Sequence, residues 1–137
     1  FDLDIGGQFY LYPGGNGVNS YEFFSYLGKT IGPAEIRAGL VYAPSQDNLG
    51  NTDNLYLTSD ARVGIPETPV TLTASVGYEN GAFEGPAGSK LDWSLGAEAT
   101  KGPFTLGISY VDTDIPRLAD PGRTSKAGVV LSLTAEF

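Results

Sequence analysis

The sequence contains no cysteine, no methionine and no histidine. Without cysteine there is neither a disulfide framework nor thiolate chemistry. Without cysteine and histidine, the usual zinc sites and the common catalytic triads are excluded. No nucleophile or base cluster accompanies the carboxylates that remain, so we predict no enzymatic activity, no metal and no cofactor.

Basic residues and long apolar runs are also scarce. Only 8 Lys and Arg stand against 16 Asp and Glu, which gives a net charge of −8 and argues against nucleic acid as a partner. No apolar run approaches the roughly eighteen residues of a membrane-spanning helix. A membrane barrel is still compatible with this pattern, because its strands carry apolar residues only at every second position.

Alternation of apolar and polar residues is the main pattern present, and helical periodicity is nearly absent. Alternating segments recur along the chain, and each is closed by Gly, Pro, Asn or Asp. The pattern predicts eight strands in one domain over residues 1–137, at 1–12, 20–31, 34–44, 53–65, 69–80, 90–100, 104–113 and 126–137.

The predicted connections alternate in length. Those after the second, fourth and sixth strands are short, whereas those after the first, third, fifth and seventh are long and polar. A soluble meander has no reason to sort loops in this way, but outer-membrane barrels have short turns at one end and long loops at the other. We therefore predict an all-β, transmembrane, antiparallel up-and-down barrel in a bacterial outer membrane.

The last predicted strand is apolar at every second position and ends on Phe137. Its length of about ten residues is enough to cross a hydrocarbon layer when the strand is tilted. This ending resembles the C-terminal signal by which bacterial outer-membrane barrels are recognised for insertion. The resemblance implies an assembly signal at Leu133, Ala135 and Phe137, with the barrel assembly machinery as partner. The alternative is an ordinary half-buried strand of a soluble sandwich.

Aromatic residues on the apolar faces gather near the predicted strand ends. Two aromatic belts around an aliphatic band form the membrane girdle of such barrels. The predicted girdle consists of Tyr21, Tyr42, Tyr78, Trp93, Phe104, Tyr110 and Phe137.

The opposite, polar faces would line the interior of the barrel. The predicted lumen-lining residues are Asp4, Gln8, Tyr10, Glu22, Glu35, Arg37, Tyr56, Asp60, Arg62, Asp92, Glu98 and Glu136. Their acidic excess predicts either a cation-preferring lumen or a polar plug of paired charges. Eight strands leave room only for side chains, whereas about twelve would make a water path plausible.

A charge ladder is expected between the third and fourth strands. Antiparallel pairing around the loop near Leu49 places Glu35 opposite Arg62 and Arg37 opposite Asp60. A slip of two residues would set the two arginines opposite each other, which cross-strand electrostatics disfavours.

Three segments resemble the bacterial TorF family of putative porins. They are the strand end FYLYPGG, the hairpin YEFFSYLGKTIGP and the hairpin GPFTLGISYVDTD, in that order. The resemblance covers nearly the whole chain, implies a porin role and carries no catalytic residues. Family members usually have about four further N-terminal strands, so this chain is either a short version or the C-terminal part of a larger barrel.

Three functions follow from this pattern. The first is an outer-membrane porin-like channel for small polar or cationic solutes, with outer-membrane lipid as its surroundings. The second is a non-conducting structural or adhesive barrel with a plugged interior, whose loops contact other outer-membrane or surface-layer proteins. The third is a soluble ligand-binding barrel of lipocalin type with the apolar face inward.

Overall fold

The computed structural model describes residues 1–84, 88–116, 119–120, 122 and 124–137. Eight antiparallel strands form one sheet in sequence order, and the third connection contains a short 3-10 helix, Asp47–Leu49. The strands are β1 Asp2–Tyr10, β2 Ser20–Ile31, β3 Ala34–Gln46, β4 Thr52–Gly64, β5 Val70–Gly81, β6 Lys90–Lys101, β7 Phe104–Thr113 and β8 Gly128–Ala135. All eight predicted strands are confirmed.

Two of the short connections are two-residue turns of the sequence Gly-Pro. Gly32 and Gly102 have φ values of 58° and 59°, a conformation that glycine adopts without strain. The following proline fixes the next φ near −65°. A positive φ at the first central position only is the pattern of a type II′ turn, whose twist suits a tight hairpin. These turns therefore set the β2–β3 and β6–β7 registers.

The predicted alternation of short and long connections is confirmed. The short connections, 32–33, 65–69 and 102–103, lie at one end of the sheet, which we call the short-turn end. The long connections lie at the other end, the long-loop end; they span 11–19, 47–51, 82–89 and 114–127, and parts of the last two fall outside the described residues.

The sheet differs from the predicted barrel in that it is not closed. The strand order runs from β1 to β8 with no described pairing between these two edges. Every observed ladder joins neighbours in sequence that a hairpin holds together. Closure would join the two strands that are farthest apart in sequence, and no turn fixes that pair. The edge strands are also shorter than predicted, since each has backbone hydrogen bonds on one side only.

The registers of the seven ladders define a continuous path across the sheet. A path perpendicular to the strands starts at Asp2, the first residue of β1, and arrives at Gly128, the first residue of β8. It runs through Gly28, Arg37, Asp60, Ser75, Ser94 and Val111. If the two edges paired with Gly128 opposite Tyr10, at the far end of β1, the strands would be offset by about eight residues around the sheet. Eight residues of about 3.3 Å over eight strands of about 4.8 Å would give a tilt near 35°, which is within the range of closed barrels.

The sheet encloses almost no apolar core. Ala43 is the one buried hydrophobic residue among those described, and the accessible surface is 9267 Å². A compact folded monomer of this size has an accessible surface of about 6,800 Å². The sheet therefore exposes more surface than a compact fold would. Among the described residues, no helix is long and apolar enough to cross a membrane.

Candidate functional site

A cavity of about 800 Å³ lies on one face of the sheet near the short-turn end and is lined by residues of β1 to β6. We call this face the inner face. Six of the predicted lumen residues line this cavity: Asp4, Glu35, Arg37, Asp60, Arg62 and Glu98. Tyr10 and Glu22 line a second cavity, described below, and Gln8 and Glu136 line neither of the two.

Aromatic side chains on the inner face lie over glycines of neighbouring strands, where a Cβ atom would overlap the ring. The three pairs are Phe24 with Gly6, Tyr26 with Gly39 and Tyr56 with Gly77. Rings placed over glycines lie against the sheet, and this leaves space in front of it. Sequence reasoning did not assign Phe24 and Tyr26 to this face, although both have the same parity along β2 as Glu22.

Gly39→Ala is expected to destabilise the protein by about 1–3 kcal/mol, as other overpacked sites do. The new methyl group would overlap the Tyr26 ring and lie 2.9 Å from the Cγ2 atom of Thr58. Gly28→Ala is the matched control, because its nearest neighbours would be 3.8 Å away. Urea unfolding in detergent micelles measures both variants. Equal stability of the two would contradict the assigned packing.

The predicted register of the charge ladder is confirmed. Glu35 pairs with Arg62 and Arg37 with Asp60. The ion pairs, however, are not the expected ones. Arg37 Nη2 lies 3.5 Å from Asp4 Oδ2 across β2, and Arg62 Nη2 lies 2.6 Å from Glu98 Oε2 across β5.

Two features account for this difference. In the confirmed register Arg37 and Arg62 are diagonal neighbours on one face, so like-charge repulsion favours side chains that point away from each other. In addition, the Arg37 guanidinium stacks over the Tyr26 ring, 3.8 Å from its centroid, which directs the side chain toward β1. Each of these two arginines therefore forms its ion pair with a strand two positions away in the sheet and not with the adjacent strand.

A hydrogen-bond network connects β4, β5 and β6 on the inner face toward the long-loop end. Asn54 and Glu79 are buried, and Asn54 Nδ2 donates to Glu79 Oε1 at 3.0 Å. Lys90 forms an ion pair with the other oxygen of Glu79. The Phe83 backbone N–H donates to Asn54 Oδ1 at 2.9 Å. This network therefore anchors the start of the β5–β6 loop to the sheet.

The remaining predicted lumen residues form another cross-strand contact. The Tyr56 hydroxyl donates to Asp92 Oδ1 at 3.1 Å and joins β4 to β6.

A second cavity of about 480 Å³ lies at the long-loop end, and we call it the mouth cavity. Its lining includes Tyr10 and Glu22 from the sheet, Tyr12 from the β1–β2 loop, Asn48 from the 3-10 helix and Phe83 from the β5–β6 loop. Three of the long connections therefore meet here. Sequence reasoning placed Tyr10 and Glu22 on the inner face but gave no signal for Asn48 or Phe83, because both are in loops without alternation.

Most of the predicted girdle residues are exposed, and they lie near the strand ends. The hydroxyls of Tyr42 and Tyr110 donate to Asp53 at 3.1 Å and to Asp112 at 2.8 Å, respectively. Trp93 is partly exposed, and Tyr21 also contributes to the lining of the mouth cavity. The location of this girdle in a membrane remains a prediction.

The predicted assembly signal is exposed at the short-turn end. Phe137 packs edge-on against Phe104, with ring centroids 6.4 Å apart. Leu133 is 70% exposed and pairs with Leu106 in the β7–β8 ladder, while Ala135 pairs with Phe104. The C-terminal residues are therefore accessible to another protein.

Comparison with known proteins adds a family but no function. No curated protein and no solved structure matches the chain. The resemblance to TorF putative porins therefore remains a prediction. One family model, described as "Bacterial protein of unknown function (Gcw_chp)", matches residues 1–137. Since this match covers every residue, the chain belongs to the Gcw_chp family.

Proposed function

We propose that this protein is an outer-membrane β-barrel that forms a channel for small polar or cationic solutes. The observation that carries the proposal is the exposed apolar face of the sheet, whose described residues enclose almost no apolar core. Leu131 and Ile5 are 73% and 69% exposed, and soluble monomers rarely expose large contiguous apolar patches. Lipid would cover this face.

The sheet geometry supports a closed barrel in the membrane. If the two edges paired as described above, the strand tilt would be near 35°, which a barrel wall requires. The strands contain 8 to 13 residues, and a tilted strand of about 9–11 residues crosses the hydrocarbon layer. Short turns at one end and long loops at the other follow the pattern of outer-membrane barrels.

The inner face supports a solute path. Its aromatic rings lie against the sheet, and its arginines reach along the sheet to alternate strands, so that a cavity of about 800 Å³ stays open. Carboxylates exceed basic groups on this face. Five carboxylates line the cavity against three basic side chains, Lys29, Arg37 and Arg62. Acidic side chains that line a path favour cations.

The second candidate is a non-conducting barrel with structural or adhesive loops. The ion pairs of Arg37, Arg62 and Lys90 favour it, because they neutralise part of the acidic excess. The two candidates differ in a single measurable property, which is ionic current through a bilayer.

The protein in a planar bilayer is expected to conduct, with a reversal potential in a KCl gradient that indicates cation preference. The preference should be strongest at low salt, where screening is weak. Glu35→Lys, which changes the charge of the cavity lining by two, should reduce the preference clearly. Glu67→Lys makes the same change in a connection at the same end but outside the lining, so it should have little effect.

Three results would contradict the proposal. Absence of current from a folded, inserted protein would favour the non-conducting barrel. Anion preference of the wild type would contradict the solute class. Equal shifts for the two lysine variants would contradict a path along the described cavity.

A further inference from the structure

We propose that the mouth cavity binds a small organic cation in which an ammonium group is attached to a compact apolar body. This inference deepens the proposed function, because it names the solute class and the place where the solute first binds. It rests on the proposed channel in one respect, which is that the cavity would lie at the entrance of the solute path. The binding itself requires neither a membrane nor current.

Two oxygen acceptors belong to residues that line the cavity, Asn48 and Glu22. Asn48 Oδ1 is buried and has no hydrogen-bond partner in the part of the chain that the structure describes. A buried acceptor without a donor is unfavourable, so a ligand N–H that reached this oxygen would form a hydrogen bond that the described residues do not supply. The second acceptor is the Glu22 carboxylate, in which Oε1 accepts the Tyr10 hydroxyl at 2.9 Å. That bond holds the carboxylate in place and occupies one of its two oxygens.

The charge of the lining selects a cation and disfavours an anion. Glu22 is the one charged side chain among the described residues that line the cavity. The Gln46 amide also lines it, but one of its two N–H donors is already engaged. Gln46 Nε2 donates to the Tyr21 carbonyl at 2.8 Å, and Gln46 Oε1 accepts from the Tyr21 N–H at 2.9 Å. An anion would therefore meet a carboxylate and few free donors.

Aromatic and aliphatic side chains supply a surface for the apolar part of the ligand. Tyr12, Val18 and Phe83 are 54%, 42% and 53% exposed and line the cavity. Aromatic side chains attract cations as well as covering apolar groups. Phe83 is held in position from the sheet, because its backbone N–H binds Asn54, which in turn binds the buried Glu79.

The size of the cavity fits a small molecule. Its volume of about 480 Å³ lies within the range of about 300–1,000 Å³ typical of ligand sites. A compound such as n-butylammonium can place its nitrogen near Glu22 and Asn48 and its alkyl chain near Phe83. A ligand of this size is expected to bind weakly, with a Kd on the order of millimolar.

Isothermal titration calorimetry of the full chain in detergent micelles tests the proposal, with n-butylammonium as the probe and 1-butanol as its neutral counterpart. We expect the ammonium compound to bind at least tenfold more tightly than the alcohol. Glu22→Gln, which can still accept the Tyr10 hydroxyl, should weaken ammonium binding at least tenfold. Phe83→Ala should weaken it several-fold. Asp47→Asn removes the same charge beside Asn48 but outside the lining, so it should stay within twofold of the wild type.

Each alternative result overturns a stated part of the proposal. Equal binding of 1-butanol would show an apolar pocket without cation preference. Equal weakening by Glu22→Gln and Asp47→Asn would show general electrostatic attraction and no defined site. Absence of ammonium binding by folded protein would overturn the site itself. A protein that binds the cation but carries no current contradicts the channel alone, and one that conducts without binding contradicts this inference alone.

Discussion

Leu131→Arg is expected to destabilise the folded protein by about 2–4 kcal/mol in a lipid bilayer, and Leu106→Arg by a similar amount. Leu131 pairs with Ile108 near the middle of β7, and Leu131 and Leu106 are 73% and 60% exposed on the apolar face. An arginine at the bilayer midplane loses its hydration or deforms the lipid around it, and the cost falls toward the interfaces. Denaturant titration of folding into lipid vesicles measures the effect.

The adjacent residues on the opposite face provide the control. Thr105→Arg and Ser132→Arg introduce the same group one position away, where the side chain would face the inner side. Ser132 pairs with Gly107, and Thr105 pairs with Thr134. These two variants should cost much less than the leucine variants. Equal costs on the two faces would contradict the assignment of the apolar face to lipid.

Deletion of Phe137 is expected to abolish or strongly slow assembly in the outer membrane while synthesis continues. The residue is fully exposed at the short-turn end, where the predicted assembly machinery would bind it. The measurement is the heat-modifiable, folded form of the protein in outer-membrane fractions after a pulse of synthesis.

Phe104→Ala separates recognition from packing. Phe137 contacts Phe104, so the deletion also removes a ring contact. Phe104→Ala removes the same contact but keeps the terminal aromatic residue, and it should assemble at nearly the wild-type rate. Normal assembly of the deletion variant would refute the signal. Equal defects in both variants would attribute the effect to packing.

The strands and their registers could be predicted from the sequence because local patterns determine them. The Gly-Pro turns and the alternation of apolar residues placed β2 at its observed bounds, Ser20–Ile31. The β3–β4 register, including Arg37 opposite Asp60, followed from hairpin pairing and charge alone. In each case the deciding interaction lies between neighbours in sequence.

Contacts that depend on the curvature of the sheet could not be predicted from the sequence. Arg37 binds Asp4 and not Asp60, because the side chain extends over an aromatic ring toward a strand that is not its neighbour. The β3 bulge between Ala43 and Gln46 was also missed. There the Gln46 side chain hydrogen-bonds to the Tyr21 backbone in the manner of a further ladder pair. The alternation of apolar and polar residues does not predict that a side-chain amide takes the place of a backbone pair in a ladder.

The meander order of the sheet determines how the chain can fold. Every described ladder joins consecutive strands, so each pairing step closes only the loop between them, at a small entropic cost. Such a chain has low contact order for an all-β protein, and its strands can add one after another with little search. In the proposed barrel, contact between the two edge strands would come last. We therefore expect this pairing, and not hairpin formation, to limit the rate of barrel closure.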